Sequence, residues 1–195
     1  MSKITHYSNP QSRGMRTQIL LDTFNIAHEF ENIDFRSGEN KTESYLEIHP
    51  YGKVPALVDG EQKVIESGAI TLYLADKFAQ ELNTPALNTP ERTKMYEWLF
   101  FLQATLEPVA VEFFAKQDKA ESSQKVHDLF QAMSSRLGSP FVLGDSFSFL
   151  DASLACELYW YKLVGIYPDT LPRYDQFLAN VQPKLPKAYG GTRES

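Results

Sequence analysis

The residues around Pro55 constrain the fold of this chain more than any other stretch. Pro55 follows Val54 at the start of the apolar run 56–58, whose composition is typical of a β-strand. Proline has no N–H for a β-ladder and belongs at the first residue of a strand, at an edge or at a bulge. Pro55 is therefore predicted to open its strand or to lie at its edge. A cis Val54-Pro55 bond would turn the Val54 amide and carbonyl outward, where they could pair with a small peptide.

A second strand and a helix are predicted to follow. Val64-Ile65 comes after a turn at Gly60 and should pair with the strand that Pro55 opens. Glu66-Ser67 lies where this second strand passes into a helix, predicted over 67–79. Because unpaired amides concentrate at a helix N-terminus, a serine there is typical of an anion-binding site.

Charge and composition exclude several classes of partner. The 195 residues include 19 basic and 25 acidic side chains, which give a formal net charge of −6. Nucleic acid and anionic membranes are therefore not expected as partners. Cys156 is the single cysteine, so no internal disulfide can form, in agreement with a reducing compartment.

Hydropathy predicts no membrane span. The N-terminus has no apolar stretch long enough for a signal peptide. The most apolar segment, 98–115, is interrupted by four residues that oppose a bilayer span: Gln103, Glu107, Pro108 and Glu112. We therefore expect a soluble, cytoplasmic protein.

The pattern of elements divides the chain into two domains. Over residues 1–81, strand and helix signals alternate, which predicts a small mixed sheet covered by helices. The predicted strands cover 4–7, 30–35 and the two segments flanking Gly60, and the predicted helices cover 13–24, 42–48 and 67–79. Residues 82–88 are rich in Asn, Thr and Pro and are predicted to form a linker.

Residues 89–195 contain only helical signals. Thr89 and Pro90 are a typical N-cap and first helical residue for a long helix, which Pro108 is expected to kink or break. The predicted buried stripe of this helix is Met95, Leu99, Leu102, Leu106, Val109 and Phe113. Further helices are predicted over 121–137, after the Ser148-x-x-Asp151 capping box, and over 171–181.

Most standard catalytic motifs are absent. The sequence has no phosphate loop, no Gly-x-Ser-x-Gly elbow and no zinc-protease motif, and its four histidines lack ligand spacing, so no metal is expected. Ser12 remains, at the predicted start of the first helix. Its hydroxyl either only caps the helix or, together with the positive helix end, stabilises a bound anion such as a thiolate.

Taken together, these motifs resemble the cytosolic glutathione transferases over essentially the whole chain. The resemblance rests on the order of elements, the stretch 52–60, Glu66-Ser67 and the change to an all-helical second half. The spacing of Pro10, Ser12 and Arg16 is most similar to the serine-type enzymes, the phi class especially. The resemblance implies a thioredoxin-like α/β domain with a mixed four-stranded sheet, an all-α second domain and a homodimer.

The resemblance also implies where glutathione binds as co-substrate. From the glycine end to the sulfur, the implied residues are Asn40, Lys41 and Lys53 for the glycine carboxylate, Val54 before Pro55 for the cysteinyl part, Glu66 and Ser67 for the γ-glutamyl group, and Ser12 for the sulfur. Tyr7 is the alternative sulfur partner, because tyrosine-type transferases use a tyrosine at the end of the first strand.

The expected activity is conjugation of the glutathione thiolate to a small apolar electrophile. The second substrate is expected between the domains, and candidate lining residues are Phe101, Thr105, Pro108, Phe113 and Trp160. Aromatic residues at helical spacing usually belong to the core, so core packing or plain surface is the favoured interpretation for each of them. Two alternatives remain open: a glutathione-dependent peroxidase, reductase or isomerase on the same site, and a binding protein that has lost turnover.

Overall fold

A mixed four-stranded sheet lies at the centre of the N-terminal unit in the computed structural model, which describes residues 3–10 and 12–190. The strand order is β2-β1-β3-β4. β1 (Ile4–Ser8) runs parallel to β2 (His28–Asn32) and antiparallel to β3 (Ala56–Asp59), and β4 (Gln62–Ile65) is antiparallel to β3. The sheet and the all-helical second half confirm the predicted fold class.

The chain divides into two compact units, Met1–Glu81 and Leu82–Ser195. The helices of the first unit are α1 (Met15–Thr23), α2 (Glu43–Leu46) and α3 (Ser67–Lys77), together with a 3₁₀ turn, Glu39–Lys41. α1 and α3 pack beside each other, and the buried side chains at one face of β1 contact α1. This arrangement is thioredoxin-like.

Two local predictions in the first unit are wrong. The second strand covers His28–Asn32 and not 30–35, because its parallel register ends where Ser8 faces Asn32. Helix α1 begins at Met15 and not at 13, with Gly14 and not Ser12 as its N-cap residue. Residues 12–16 form tight turns first, in which the Met15 amide donates to the Ser12 carbonyl at 3.1 Å. Local sequence signals place helix ends only to within a few residues.

The second unit is helical. Its long helices are α4 (Pro90–Phe100), α5 (Glu107–Lys116), α6 (Lys119–Met133), α7 (Phe149–Val164) and α8 (Pro172–Val181), followed by the short α9 (Lys187–Gly190). Thr89 caps α4 through its side chain, as predicted. The predicted capping box is also present, since the Asp151 carboxylate accepts from the Ser148 amide at 2.8 Å.

Of the two outcomes predicted at Pro108, a kink or a break, the break does not occur. α4 passes through a π-helical segment, Phe101–Leu106, into α5, so that the helix continues from Pro90 to Lys116. Proline lacks an N–H and its ring would meet the carbonyl four residues earlier, and the wider π turn before Pro108 accommodates both effects. The predicted stripe is confirmed, since each of its members is at most 7% exposed: Met95, Leu99, Leu102, Leu106, Val109 and Phe113.

By length and composition alone, the helix Pro90–Lys116 could cross a membrane. Within the helical unit, however, 44% of its most apolar window is buried. Trp98 is completely buried and packs edge-on against Phe101, which in turn packs on Phe130 of α6. The apolar side chains of this helix therefore form part of the core of the unit.

A buried chain of hydrogen bonds joins α1 to the sheet. His6 Nδ1 lies 2.7 Å from the Gln18 side-chain oxygen, and His6 Nε2 lies 2.7 Å from the Thr17 hydroxyl. The Gln18 amide nitrogen contacts Asp22 at 2.8 Å and His28 Nε2 at 2.9 Å. Because the Asp22 carboxylate only accepts, the orientation of the Gln18 amide follows, and His6 Nδ1 must donate to its oxygen. In the neutral imidazole, Nε2 accepts from the Thr17 hydroxyl, which also lies 3.0 Å from the Gly14 carbonyl and has one hydrogen for the two acceptors. This series of hydrogen bonds can therefore form with both His6 and His28 as neutral imidazoles.

Acid should therefore destabilise the N-terminal unit through His6. Burial lowers the pKa of His6 to about 4, while hydrogen bonding to Gln18 opposes this shift. The unfolded chain then binds a proton between pH 6.5 and 4 that the folded chain does not, so stability falls as the pH falls through this window, by about 3 kcal/mol in all.

Urea unfolding at pH 4–7 tests this expectation. The free energy of unfolding of the wild type relative to His6→Asn should shrink by about 3 kcal/mol between pH 7 and pH 4. An unchanged difference between the wild type and His6→Asn across this range would contradict the burial of a neutral His6.

Candidate functional site

Three chain connections gather at one edge of the sheet. Tyr7 pairs with Ala56, and Ala56 pairs with Ile65, so the end of β1, the start of β3 and the end of β4 lie side by side. The segments that follow β1, precede β3 and follow β4 therefore start from the same edge. They carry Ser12, Val54-Pro55 and Glu66-Ser67 respectively. The register thus brings together the three predicted parts of the site.

The Val54-Pro55 bond is cis, and Pro55 directly precedes β3, as predicted. Val54 is half-buried. Among the residues that the structure describes, none forms a hydrogen bond with the main-chain amide or carbonyl of Val54. These two groups are the donor and acceptor that an extended peptide needs in order to pair with a strand edge.

The turn before Val54 is tied down by three side chains. The Asn40 amide donates to the Gly52 carbonyl at 2.8 Å, and the Tyr45 hydroxyl donates to the Lys53 carbonyl at 2.6 Å. Lys41 Nζ lies 3.4 Å from the Tyr51 carbonyl, a weaker contact. The role of Tyr45 leaves no signal in the sequence, because no short motif indicates a hydrogen bond between a helical side chain and a carbonyl eight residues later.

Two of these three residues are inside the protein. Tyr45 is 4% exposed and Asn40 is 9% exposed. Burial, with a contribution from Tyr7, raises the pKa of Tyr45 to about 12, so the hydroxyl remains a donor at neutral pH. Lys41 and Lys53, by contrast, are exposed. Of the three residues predicted for a ligand carboxylate, the two lysines lie open to solvent and Asn40 faces the turn.

Glu66 has an unusual backbone conformation at the start of α3. Its φ of 69° and ψ of 122° lie outside the regions that a residue with a side chain normally adopts. Such strain persists only where the surroundings impose it, and it clusters at functional sites. Ser67 is the first residue of α3 and is 7% exposed. The strand-to-helix passage predicted at Glu66-Ser67 is confirmed.

The Ser12 hydroxyl already takes part in two hydrogen bonds. Its Oγ lies 2.6 Å from the Asn9 carbonyl, to which it donates, and it accepts from the Gly14 amide at 3.1 Å. Ser12 is half-buried. Because Oγ accepts a hydrogen bond from the Gly14 amide, the Ser12 hydroxyl becomes a stronger donor. Ser12 can therefore donate to a sulfur only by releasing the Asn9 carbonyl.

Tyr7 lies on the other face of the sheet from His6 and Ser8, because side chains alternate along β1. Its ring centroid is 6.0 Å from that of Tyr45. Burial, and after it the charges of Glu31 and Glu29, raise the pKa of Tyr7, so its hydroxyl stays protonated at neutral pH. Tyr7 is thus available as a donor, but it approaches the edge from the side of Tyr45.

The predicted electrophile-binding residues divide into two groups. Phe101 and Phe113 are 8% and 4% exposed and belong to the core of the helical unit. Thr105 and Pro108 are exposed, and Trp160 is half-buried with its ring 5.7 Å from that of Phe114. A surface cavity of this unit is lined by other residues, from 83–91 and 143–148.

Comparison with known proteins agrees with this geometry. Residues 2–76 match the model of the glutathione S-transferase N-terminal domain. The chain is 28% identical to glutathione S-transferase PARB of Nicotiana tabacum over 197 residues, which cover 90% of this chain and 91% of that protein. The first unit of this chain is thus similar to the N-terminal domain of glutathione S-transferases, and the chain as a whole is similar to a member of that family.

Two solved structures extend the comparison. A glutathione transferase family member from Pseudomonas fluorescens with two glutathione bound has a TM-score of 0.72 and 27% identity, and the match covers 95% of this chain and 94% of that one. A delta-class transferase of Nilaparvata lugens has a TM-score of 0.83 at 21% identity, with 94% and 90% covered, and shows the shared fold. Among residues 3–10 and 12–190 of this chain, no cluster of metal-ligating side chains is found.

Proposed function

We propose that this protein is a glutathione S-transferase that conjugates the glutathione thiolate to small apolar electrophiles. The observation that carries the proposal is the sheet register, which gathers Ser12, Val54-Pro55 and Glu66-Ser67 at one edge. We propose further that it is a serine-type enzyme similar to the phi class, acting as a cytoplasmic homodimer with domains 1–81 and 89–195 joined by the linker 82–88.

The proposed orientation of glutathione follows from the chemistry at this edge. The cysteinyl amide and carbonyl would pair with the main chain of Val54, which uses neither group within the described chain. The γ-glutamyl carboxylate would bind at the N-terminus of α3 near Ser67, where helix amides favour an anion, and its amine near Glu66. The glycine carboxylate would lie near Lys41 and Lys53, with Asn40 close behind them.

Ser12 would supply most of the activation of the sulfur. A free thiol has a pKa of about 8.5, so only a few per cent is ionised at neutral pH. To donate to the sulfur, the Ser12 hydroxyl would exchange its neutral hydrogen bond with the Asn9 carbonyl for one with a charged acceptor. The new bond contributes about 1.5–3 kcal/mol against about 0.5–1.5 kcal/mol for the one released, so the exchange would lower the sulfur pKa by up to about two units. The thiol proton leaves to solvent, and the thiolate attacks an electrophilic carbon held beside it.

For the second substrate, we propose a contribution from the exposed residues of the helical unit. Thr105 and Pro108 lie on the long helix and Trp160 on α7. Phe101 and Phe113 would shape this surface from behind, since both are buried.

A second candidate function is glutathione-dependent reduction of a disulfide or peroxide on the same site. The Pseudomonas fluorescens relative with two glutathione bound favours this alternative, because a second thiol is the reductant that such a reaction consumes. Assays with an electrophile panel and with a small mixed disulfide separate the two reactions. Glutathione binding without turnover of either substrate type would instead indicate a binding protein.

The test of the proposed sulfur chemistry compares two single-oxygen deletions, Ser12→Ala and Tyr7→Phe. Ser12→Ala should raise the pKa of bound glutathione by one to two units and lower kcat/KM near neutral pH about 10- to 100-fold. Tyr7→Phe should leave both close to wild type. The pKa is read from the ultraviolet absorbance of the bound thiolate as a function of pH. An unchanged sulfur pKa in Ser12→Ala would rule out this role for Ser12.

A further inference from the structure

The main chain that would pair with glutathione is held from one short stretch of the sequence. The carbonyls of three successive residues, 51–53, each accept from a side chain within 40–45. The turn is also closed on itself, because the Gly52 amide donates to the His49 carbonyl at 2.8 Å. The His49 amide in turn donates to the Tyr45 carbonyl at 2.9 Å, so Tyr45 contacts both ends of the turn.

We propose that Tyr45 and Asn40 are positioning residues, which hold the turn so that the Val54 main chain meets glutathione. The exposed ammonium groups beside them, above all that of Lys53, are left to attract the glycine carboxylate by charge. This inference rests on the proposed function. It assigns to Asn40 the task of holding the Gly52 carbonyl, in place of the direct contact with the glycine carboxylate that the resemblance implied.

Burial separates the two tasks. The Asn40 and Tyr45 side chains are almost completely enclosed and direct their donors at main-chain carbonyls. Lys53 is exposed immediately before Val54, and Lys41 is exposed with only a long contact to Tyr51, so its ammonium group can turn to a ligand. An exposed ammonium group recognises a carboxylate as a point charge, whereas enclosed donors fix a backbone.

The energetic reason is preorganisation. A peptide that pairs with a strand edge gains affinity only if the amide and carbonyl are held in the pairing geometry before it binds. Without the Tyr45 hydroxyl, the Lys53 carbonyl loses an enclosed donor and the residue before Val54 can shift. The loss of one such hydrogen bond corresponds to an affinity change of about 3- to 10-fold.

The experiment compares glutathione with its glycyl monoethyl ester, which lacks the charge of the glycine carboxylate. Calorimetric dissociation constants for both ligands are measured on the wild type, Tyr45→Phe, Asn40→Ala and Lys53→Ala. Tyr45→Phe and Asn40→Ala should weaken both ligands by the same factor, about 3- to 10-fold. Lys53→Ala should weaken glutathione and leave the ester nearly unaffected.

Tyr73→Phe is the matched control. Its hydroxyl donates to the Asp59 carboxylate at 2.7 Å in the same unit, so it loses a hydrogen bond of similar kind away from the turn. It should bind both ligands like the wild type. In steady-state kinetics, Tyr45→Phe should raise KM for glutathione with kcat nearly unchanged, because Ser12 is untouched; a purely structural defect would instead lower the active fraction and kcat.

The outcomes separate the two proposals. If the wild type binds neither ligand, the proposed function fails, and this inference fails with it. If the wild type binds glutathione but Tyr45→Phe is indistinguishable from Tyr73→Phe, only the positioning role is overturned. If Asn40→Ala weakens glutathione and spares the ester, Asn40 contacts the carboxylate directly and its assignment here is wrong.

Discussion

Replacing Gly52 by alanine is expected to lower the free energy of unfolding by about 2–5 kcal/mol and to abolish glutathione binding. Gly52 has a φ of 60°, which costs a residue with a side chain about 1–2 kcal/mol. Its Cβ would also overlap the main-chain carbonyl oxygen of Asn40, which cannot swing aside as a side chain could. Overpacking of this kind adds about 1–3 kcal/mol.

Gly38→Ala separates the conformational cost of a positive φ from the cost of the overlap with the Asn40 carbonyl oxygen. Gly38 has a φ of 81°, but no atom lies within 4 Å of the position its Cβ would take. This variant should therefore lose only the conformational part, about 1–2 kcal/mol, and keep glutathione binding. Denaturant unfolding and calorimetry on the two variants check the expectation. Equal losses of stability in both would show that Asn40 does not pack against the Gly52 backbone as described.

Replacing Asp151 by alanine is expected to destabilise the helical unit by about 2–5 kcal/mol. The carboxylate accepts from the Val142 amide at 2.7 Å, from the Ser148 amide at 2.8 Å and from the Ser148 hydroxyl at 2.9 Å. Asp151 is completely buried, so alanine leaves these donors without water or another acceptor. Each unsatisfied buried donor costs about 1–3 kcal/mol.

The ionised Asp151 carries a cost of its own, which sets the sign of its pH dependence. Burial raises the pKa of Asp151 to about 6, against the opposing hydrogen bonds from Val142 and Ser148. Asp151 of the folded chain therefore takes up a proton at a higher pH than Asp151 of the unfolded chain. The contribution of Asp151 to the free energy of unfolding becomes more favourable as the pH falls from about 6 towards 4. The loss in Asp151→Ala should therefore be no smaller at pH 5 than at pH 7.

Urea unfolding with Asp145→Ala as the control tests the role of Asp151. Asp145 is an exposed carboxylate in the same loop region, and its removal should change stability by less than about 0.5 kcal/mol. A loss in Asp151→Ala no larger than in Asp145→Ala would show that the carboxylate does not hold the Val142 and Ser148 amides. This box links the start of α7 to the segment before it, so its loss should loosen the whole unit.

Much of the candidate site at this edge of the sheet could be predicted, because its sequence signals are local and each is compatible with few structures. A proline at the head of an apolar run can take few places in a sheet, and Pro55 indeed stands directly before β3. The apolar stripe of the long helix follows from helical spacing alone, and all its members are buried. The Ser148-x-x-Asp151 box was predictable for the same reason, since its members are only three residues apart.

The errors arose where neighbours distant in sequence decide the outcome. Pro108 does not end its helix, because a π turn that no residue pattern announced takes up the distortion. Ser12 was expected to cap α1, but Gly14 occupies that position while the Ser12 hydroxyl turns to the Asn9 carbonyl. The end of β2 was misplaced because its register is set by pairing with β1, which no local signal records.

The sequence by itself determined the kinds of groups at this site: a proline-headed strand, a serine-opened helix, exposed lysines and a serine after the first strand. These depend on residue type and short spacing, which the chain carries locally. Only the tertiary structure decided which groups hold the main chain in place and which remain available to a ligand. It turned Asn40 and Tyr45 inward onto the carbonyls of Gly52 and Lys53, and it set the Ser12 hydroxyl against the Asn9 carbonyl. It also left the main-chain amide and carbonyl of Val54 without a partner among residues 3–10 and 12–190. The physical reason is that buried donors must find acceptors, and which acceptor is within reach depends on how separate segments pack.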